Sequence, residues 1–285
     1  MNLKKSFVLL ILTLTACSGP RACVPNLVEL KTQYPHILYQ GPKKTPKVEL
    51  HTYPPANWST LSGISKSAQW AVLVSEDWAF YQHHGFDEKQ MREAIEDSIK
   101  EGKLTRGAST ITQQVVRNIY LTKKKTITRK VRELWLATKI ERVIGKRRVL
   151  ELYFNIAEWG EGIFGIKAAA KFYFQKDPSQ LTAKEGAFLA MLLPSPKKYS
   201  ISYRQGLLTP YARKTMRSIL GKMVQAKILT VDEKNSAWDQ QLFFEKVKSL
   251  PIADEGSDSA SDSSAEETTT PEDAAENPDD IDFEE

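Results

Sequence analysis

Cysteine is nearly absent from this chain, with only Cys17 and Cys23 among 285 residues. Neither they nor the four histidines fall at metal-ligand spacing, so the sequence holds no structural zinc pattern. No apolar run reaches the roughly 20 residues that a membrane-spanning helix needs. Phe7 to Leu14 is only of signal-peptide length. Between Ser65 and Leu250 no convincing alternating strand pattern appears, which argues against an all-β or α/β domain. Basic residues are missing altogether from residues 251–285, which carry 14 of the 35 acids. The remaining 250 residues therefore hold 40 basic against 21 acidic side chains. A net charge of +5 hides a body of +19 and a tail of −14. Such asymmetry suits a basic body that meets an anionic surface.

The N-terminus points to that surface. Two lysines among the first five residues precede the apolar run, which ends in Leu14-Thr15-Ala16-Cys17. This resembles the lipobox of bacterial lipoproteins, which implies cleavage before Cys17 and a lipid anchor on it. Several acyl chains give stable anchoring where one does not. Residues 1–16 are therefore targeting sequence rather than fold. Cys23 is left as the unmodified thiol, so no disulfide framework is expected.

Residues 17–62 are punctuated by Pro20, Pro25, Pro35, Pro42, Pro46, Pro54 and Pro55 and read as a tether, with one strand-like run at Val48–His51. Helical patterns fill residues 63–250, so the expected fold class is all-α. Ser65 to Ala79 carries Ala68, Ala71, Val72 and Ser75 at helical spacing, and Asp87 caps a second helix. Thr110 with Gln113, Thr182 with Glu185 and Thr230 with Glu233 mark helix starts as capping boxes or close relatives of one. Thr128 opens a helix that stops at Gly145, after which Lys146 to Glu158 resumes, followed by Phe164 to Phe174. Pro210 sits at a first helical position. Residues 251–285 are too polar to offset their ordering entropy and are expected to be disordered.

Four segments carry chemistry. In the first, Glu76-Asp77-Trp78-Ala79-Phe80-Tyr81-Gln82-His83-His84-Gly85, two carboxylates close an apolar helix. Consecutive helical residues point about 100° apart, so one carboxylate faces a site while the other supports the backbone. The second, Gly107-Ala108-Ser109-Thr110-Ile111-Thr112-Gln113-Gln114 running to Arg117, gathers hydroxyls and amides at a helix N-terminus. Such a start favours anions and oxygen-rich ligands, though the same residues also cap helices without a ligand. In the third, Lys123-Lys124-Lys125 leads into Arg129-Lys130-Val131-Arg132-Glu133. Arg129 and Lys130 stand four and three residues before Glu133, close enough to hold it ionised. Dense positive charge beside an acid suits a phosphorylated leaving group. The fourth, Leu150-Glu151-Leu152-Tyr153-Phe154-Asn155 with the glycine-flanked 160–174, reads as a close-packed core corner.

Taken in this order, the segments closely resemble glycosyltransferase family 51, the transglycosylases of peptidoglycan synthesis. The matching patterns are Glu-Asp-x-x-Phe-x-x-His-x-Gly at 76–85, Gly-x-Ser-Thr-Ile-Thr-Gln-Gln at 107–114, Arg-Lys-x-x-Glu at 129–133 and Leu-Glu-x-Tyr-x-Asn at 150–155. Glu185-Gly-Ala-Phe-Leu-Ala with Pro194 and Pro196 adds a fifth. The likeness spans roughly residues 65–225, and no penicillin-binding serine motif follows, so the monofunctional type is the nearer match.

The resemblance implies a lysozyme-like helical fold beside the membrane. It also implies attack by the 4-hydroxyl of an acceptor lipid II on the anomeric carbon of the growing chain, expelling undecaprenyl pyrophosphate with inversion. Glu76 becomes the general base and Glu133 the second acid. Thr110, Gln114 and Arg117 become donor-side contacts, Ser109 and Gln113 join the substrate-binding residues, and Asp77, Phe80 and His83 shape the cleft. Lys125, Arg129 and Lys130 neutralise the pyrophosphate. No cofactor is required by the sequence, although a divalent cation such as Mg at the pyrophosphate is compatible with it. Expected partners are lipid II, the nascent glycan, the membrane and other cell-wall synthesis proteins, but no nucleic acid. The protein is expected on the periplasmic face of the inner membrane. One departure from the family is an exchange of cations, with Arg117 where Lys is usual and Lys125 where several members have Arg. Two other readings stand beside this one: a glycan-cleaving, lysozyme-like or lytic enzyme, and a catalytically silent glycan-binding lipoprotein.

Overall fold

A computed structural model describes residues 25–40, 45–101, 109–121 and 126–245. The signal segment, the Cys17 anchor, Gly107, Lys125 with its two lysine neighbours and the acidic tail lie outside the described residues.

Within the proline-rich stretch, a 3-10 turn at Leu27–Lys31 precedes strands β1 (Tyr34–Gln40) and β2 (Thr45–His51). These pair antiparallel, with Tyr34 opposite His51 and Gln40 opposite Thr45. Only Val48–His51 is visible as strand in the sequence, because Pro35 and Pro46 break the pattern. A two-stranded hairpin tolerates both, since each strand has an edge where a missing N–H costs nothing.

Helices follow: α1 (Lys66–Glu76), α2 (Glu88–Glu101), α3 (Ile111–Tyr120), α4 (Ile127–Ile156), α5 (Ile166–Phe174), α6 (Ala183–Leu192), α7 (Pro210–Gln225) and α8 (Val231–Asp239). Their starts are the ones the capping chemistry predicts. Ser65, Thr110, Thr182, Thr209 and Thr230 each accept a backbone N–H from the first turn. Asp87 Oδ1 accepts from Gln90 N–H at 2.9 Å. The helix expected from Thr128 is capped by Thr126 instead. Gly145, expected as its stop, has φ 74° and ψ 160° and kinks α4 into two halves. Between α4 and α5 lies a small hairpin, β3 (Glu158–Gly160) and β4 (Ile163–Phe164), which corrects the expectation of no strand after Ser65. Strands of three and two residues are too short to show alternation.

Every residue of α6 is buried, Lys184 and Glu185 included. A helix apolar on all sides belongs at the centre of a bundle, and α1, α7 and α8 pack around this one. Gly186 permits the closest approach: a Cβ there would stand 2.8 Å from Ala68 Cα. A second pairing, α3 against the first half of α4, forms the other wall. The end of α1 and the start of α3 meet between these groups, and the candidate residues collect there.

Candidate active site

Glu76 is the last residue of α1, and Asp77, with φ −158° and ψ 74°, turns the chain out of the helix. The sequence argument that the two carboxylates diverge is realised in full. Asp77 points inward and is buried. Its Oδ2 accepts the backbone N–H of Ile111 at 2.9 Å, at the first turn of α3. Its Oδ1 lies 2.8 Å from His83 Nε2. Glu76 is half-buried, and Gln114 Nε2 donates to its Oε2 at 2.9 Å. The Tyr153 hydroxyl in turn donates to Gln114 Oε1 at 3.4 Å, which orients the amide with its NH₂ toward the carboxylate. Burial raises the Glu76 pKa above the ordinary value, and the charge of Asp77 raises it further. The Gln114 hydrogen bond and the positive charges of Arg117 and Lys222 oppose this. Burial, with the Glu76 charge second, pushes Tyr153 well above its normal range and keeps it a donor. A carboxylate raised in this way is better matched to proton abstraction near neutral pH than an ordinary one.

The loop from 77 to 85 is held from behind. The Thr110 hydroxyl donates to the Gly85 carbonyl at 2.6 Å, and Thr110 and Gln113 form the capping box of α3. Gly85 has φ +83°, and a Cβ on it would fall 2.6 Å from the Thr138 backbone nitrogen on α4. Phe80 is buried in the core. Asp77, Phe80, Thr110 and Gln113 therefore act from the interior, with their polar atoms engaged by protein.

On the facing side, Glu133 is fully buried. Arg129 Nη1 donates to its Oε2 and Lys130 Nζ to its Oε1, each at 2.7 Å. Lys130 also reaches Ser109 Oγ at 3.0 Å. Both acids are thus tied to the start of α3, Glu133 through Lys130 and Ser109, and Glu76 through Gln114. Arg129 Nε is buried with no acceptor among the described residues. An acceptor-rich group such as a phosphate fits a cation with an unused donor.

The fourth segment divides its work along the helix. Tyr153 faces Gln114, while Glu151 and Asn155 clamp the chain ahead of α1. Asn155 Oδ1 accepts from Ser59 N–H and its Nδ2 donates to Ser59 O, both at 2.8 Å. Glu151 Oε2 accepts from Leu61 N–H at 3.0 Å. Arg148, which the sequence reading passed over, pairs with Glu151 and donates to the Leu30 and Gln33 carbonyls. Lys222 on α7 was also missed: it belongs to no motif, and only the packing of α7 against α1 brings it near Glu76. Among the described residues no group of three His, Cys, Asp or Glu side chains could hold a metal. Surface grooves of about 380 and 370 Å³ lie elsewhere among the described residues, along α5 and between β1 and β4, and of the four segments only the fourth reaches them, through residues of 160–174 and, in the second groove, Asn155.

Comparison with known proteins shows the family. Residues 45–224 match the family model described as Transglycosylase. Over 171 residues the chain is 40% identical to a biosynthetic peptidoglycan transglycosylase of Nitrosomonas eutropha, covering 60% of this chain and 68% of that one. A protein of the same description from Nitrosospira multiformis is 37% identical over 186 residues, or 65% of this chain and 77% of its own. Penicillin-binding protein 1A of Neisseria lactamica is 40% identical over 177 residues, which are 62% of this chain and 22% of that one.

Proposed function

This chain belongs to the transglycosylase family, and on that premise we propose that it is a peptidoglycan glycosyltransferase polymerising lipid II into glycan strands. The observation that carries the mechanism is the Glu76 carboxylate, raised by burial and held by Gln114 and Tyr153 at the mouth of α3. Glu76 removes the proton of the acceptor 4-hydroxyl as that oxygen attacks the anomeric carbon of the growing chain. The carbon inverts, and undecaprenyl pyrophosphate departs with the bonding electrons. Arg129 and Lys130, fixed by Glu133, stabilise the charge that develops on it. Gln114 and Arg117 contact the donor sugar and pyrophosphate from α3 and Ser109 from the residues just ahead of it, with Lys125 adding to the cationic side. Asp77, Phe80, His83, Thr110 and Gln113 set the shape of the cleft.

Membrane association is part of the reading. Ile127, Val131 and Trp135 are exposed, lie four residues apart on one face of α4, and Ile99 on α2 is exposed too. An apolar stripe on a basic helix suits the interface of an anionic bilayer. Among the described residues no helix is long and apolar enough to cross a membrane. The lipobox-like Leu14-Thr15-Ala16-Cys17 makes Cys17 the proposed anchor, on the periplasmic face of the inner membrane. Cys17→Ser should shift the protein from the membrane to the soluble fraction, and unchanged membrane retention would remove the lipoprotein assignment.

Labelled lipid II, with products resolved on a gel, tests the reaction. Polymer that disappears in Glu76→Gln supports the synthase. Shortening of preformed glycan would replace it with the cleaving enzyme, and inertness toward both substrates would favour the silent binding protein. The cation pair around Glu133 favours the synthase over cleavage, because a cleaving enzyme has no pyrophosphate to stabilise.

A further inference from the structure

Two charged residues with no part in the proposed reaction complete a closed circuit behind Glu76. Lys146, the first residue after the Gly145 kink, places Nζ 2.8 Å from Glu141 Oε1 and 3.4 Å from His83 Nδ1. The ammonium also lies 4.4 Å from the centre of the Phe80 ring. Glu141, buried at the end of the first half of α4, accepts the Thr112 hydroxyl on the same oxygen. On the far side of the imidazole, His83 Nε2 meets Asp77, whose other oxygen holds the Ile111 N–H. Ile111 and Thr112 are consecutive, so the contacts run from Asp77 through His83, Lys146, Glu141 and Thr112 back to Asp77.

The chemistry of the circuit selects one form of the histidine. An ammonium only donates and an ionised carboxylate only accepts. Lys146 therefore requires a lone pair at Nδ1, and Asp77 requires the hydrogen on Nε2. The neutral Nε2–H tautomer satisfies both; the Nδ1–H tautomer satisfies neither, and an imidazolium would present Nδ1–H to the ammonium. Which ring nitrogen carries the proton is set by the partner of the other. Asp77 follows Glu76 directly and pins the start of the helix that carries Gln114.

We infer that Lys146 and Glu141 are positioning residues. Lys146, aimed by Glu141, fixes His83 as the neutral Nε2–H tautomer, and this keeps Asp77 locked between the end of α1 and the start of α3. The catalytic half of the inference rests on Glu76 being the base; the tautomer half does not.

The test is nitrogen-15 histidine NMR on the full-length protein at neutral pH, with the His83 signals assigned by their loss in His83→Gln. Wild type should show a lone-pair Nδ1 and a protonated Nε2. With Lys146→Met, Asp77 still holds the Nε2 hydrogen but no ammonium keeps Nδ1 unprotonated, so a doubly protonated ring should appear and kcat should fall by about 10- to 100-fold, the range that outer-shell partners carry at metal sites. KM should stay within about threefold, as for an interaction that acts on the transition state alone. Lys146→Arg keeps a donor and a pair for Glu141, so it should keep the tautomer and most of kcat. If Lys146→Met does not fold, the wild-type spectrum and the Arg variant decide. An Nδ1–H tautomer in wild type, or Lys146→Met with unchanged His83 nitrogen signals and kcat, would overturn the inference. A wild-type tautomer as expected, with polymerisation surviving in Glu76→Gln, would instead reject the base and leave the circuit standing.

Discussion

Replacing Arg129 by methionine probes the energetics of the cationic side directly. In the folded protein Glu133 has no solvent exposure, and its two oxygens each receive one cation at 2.7 Å. The two cations differ. The Arg129 side chain is 17% exposed and the Lys130 side chain 39%, so Lys130 is the more solvated and the weaker partner. Removing one partner of a buried pair costs about 3–5 kcal/mol, because the surviving charge is left uncompensated. Lys130 remains in this variant, which places the expected loss at the lower end, about 3 kcal/mol. For a domain of this size each kcal/mol moves the melting midpoint by about 2–4 °C, so a drop of about 6–12 °C is expected. Lys130→Met should cost clearly less. Adding Glu133→Gln to Arg129→Met removes the stranded charge and should recover at least about 1 kcal/mol, the coupling expected of residues in direct contact. Urea titration followed by tryptophan fluorescence, on all four proteins, reads these values. An Arg129→Met variant within about 0.5 kcal/mol of wild type, the range of ordinary surface changes, would show that Glu133 is solvated and the argument wrong. So would a double variant less stable than the single.

Four further outcomes follow from the same structure. Glu76 has a raised folded-state pKa, so its ionisation opposes folding. Glu76→Gln should therefore be more stable than wild type at pH 7, with the advantage fading as pH falls through the raised folded-state pKa and gone below the ordinary value of 4.5, which parallel denaturant titrations across pH would check. In the active enzyme, Gln114→Ala removes a bond that favours the ionised form and should move the acid limb of the pH–rate profile upward. Gly85→Ala drives a Cβ to within 2.7 Å of three backbone atoms of α4 at a φ of +83°, and should abolish soluble folded protein as judged by circular dichroism. Asn155→Ala strips the Ser59 N–H and carbonyl of their partners; at about 1–3 kcal/mol for each buried group left unmet, it should lower the melting midpoint while leaving kcat per folded molecule nearly intact.

The helices were legible because their starts are written locally. Thr110, Thr182 and Thr230 lie three residues before Gln113, Glu185 and Glu233, and each box closes as the spacing predicts. The divergence of Glu76 and Asp77 was expected from the helical turn, but it is produced by Asp77 leaving the helix at φ −158°. The β1–β2 hairpin was half hidden by its prolines, and β3–β4 was too short to show a period. Contacts between distant segments were the least legible. Nothing near Lys222 announces that it faces Glu76, and Lys146 and Glu141 look like an ordinary surface pair until His83, some sixty residues earlier, is folded against them. Arg148 likewise reads as one more cation in a basic run, yet it grips the backbone at Leu30 and Gln33.

The bend at Gly145 has a mechanical consequence. Its backbone angles belong to a region open essentially to glycine alone, and a Cβ there would meet no atom within 4 Å. No neighbour enforces the bend; the residue permits it, and the Lys146–Glu141 contact braces it from either side. The two halves of α4 therefore behave as arms of a lever with a one-residue fulcrum. Glu133 sits twelve residues along the first arm, about 18 Å from the fulcrum at 1.5 Å per residue. A rotation of roughly 10° would sweep it through about 3 Å, where a displacement of about 1 Å already costs about 100-fold in a positioned reaction. The alignment of Arg129 and Lys130, the proposed leaving-group cations, with Glu76, the proposed base, is thus sensitive to torsion at a residue that touches neither.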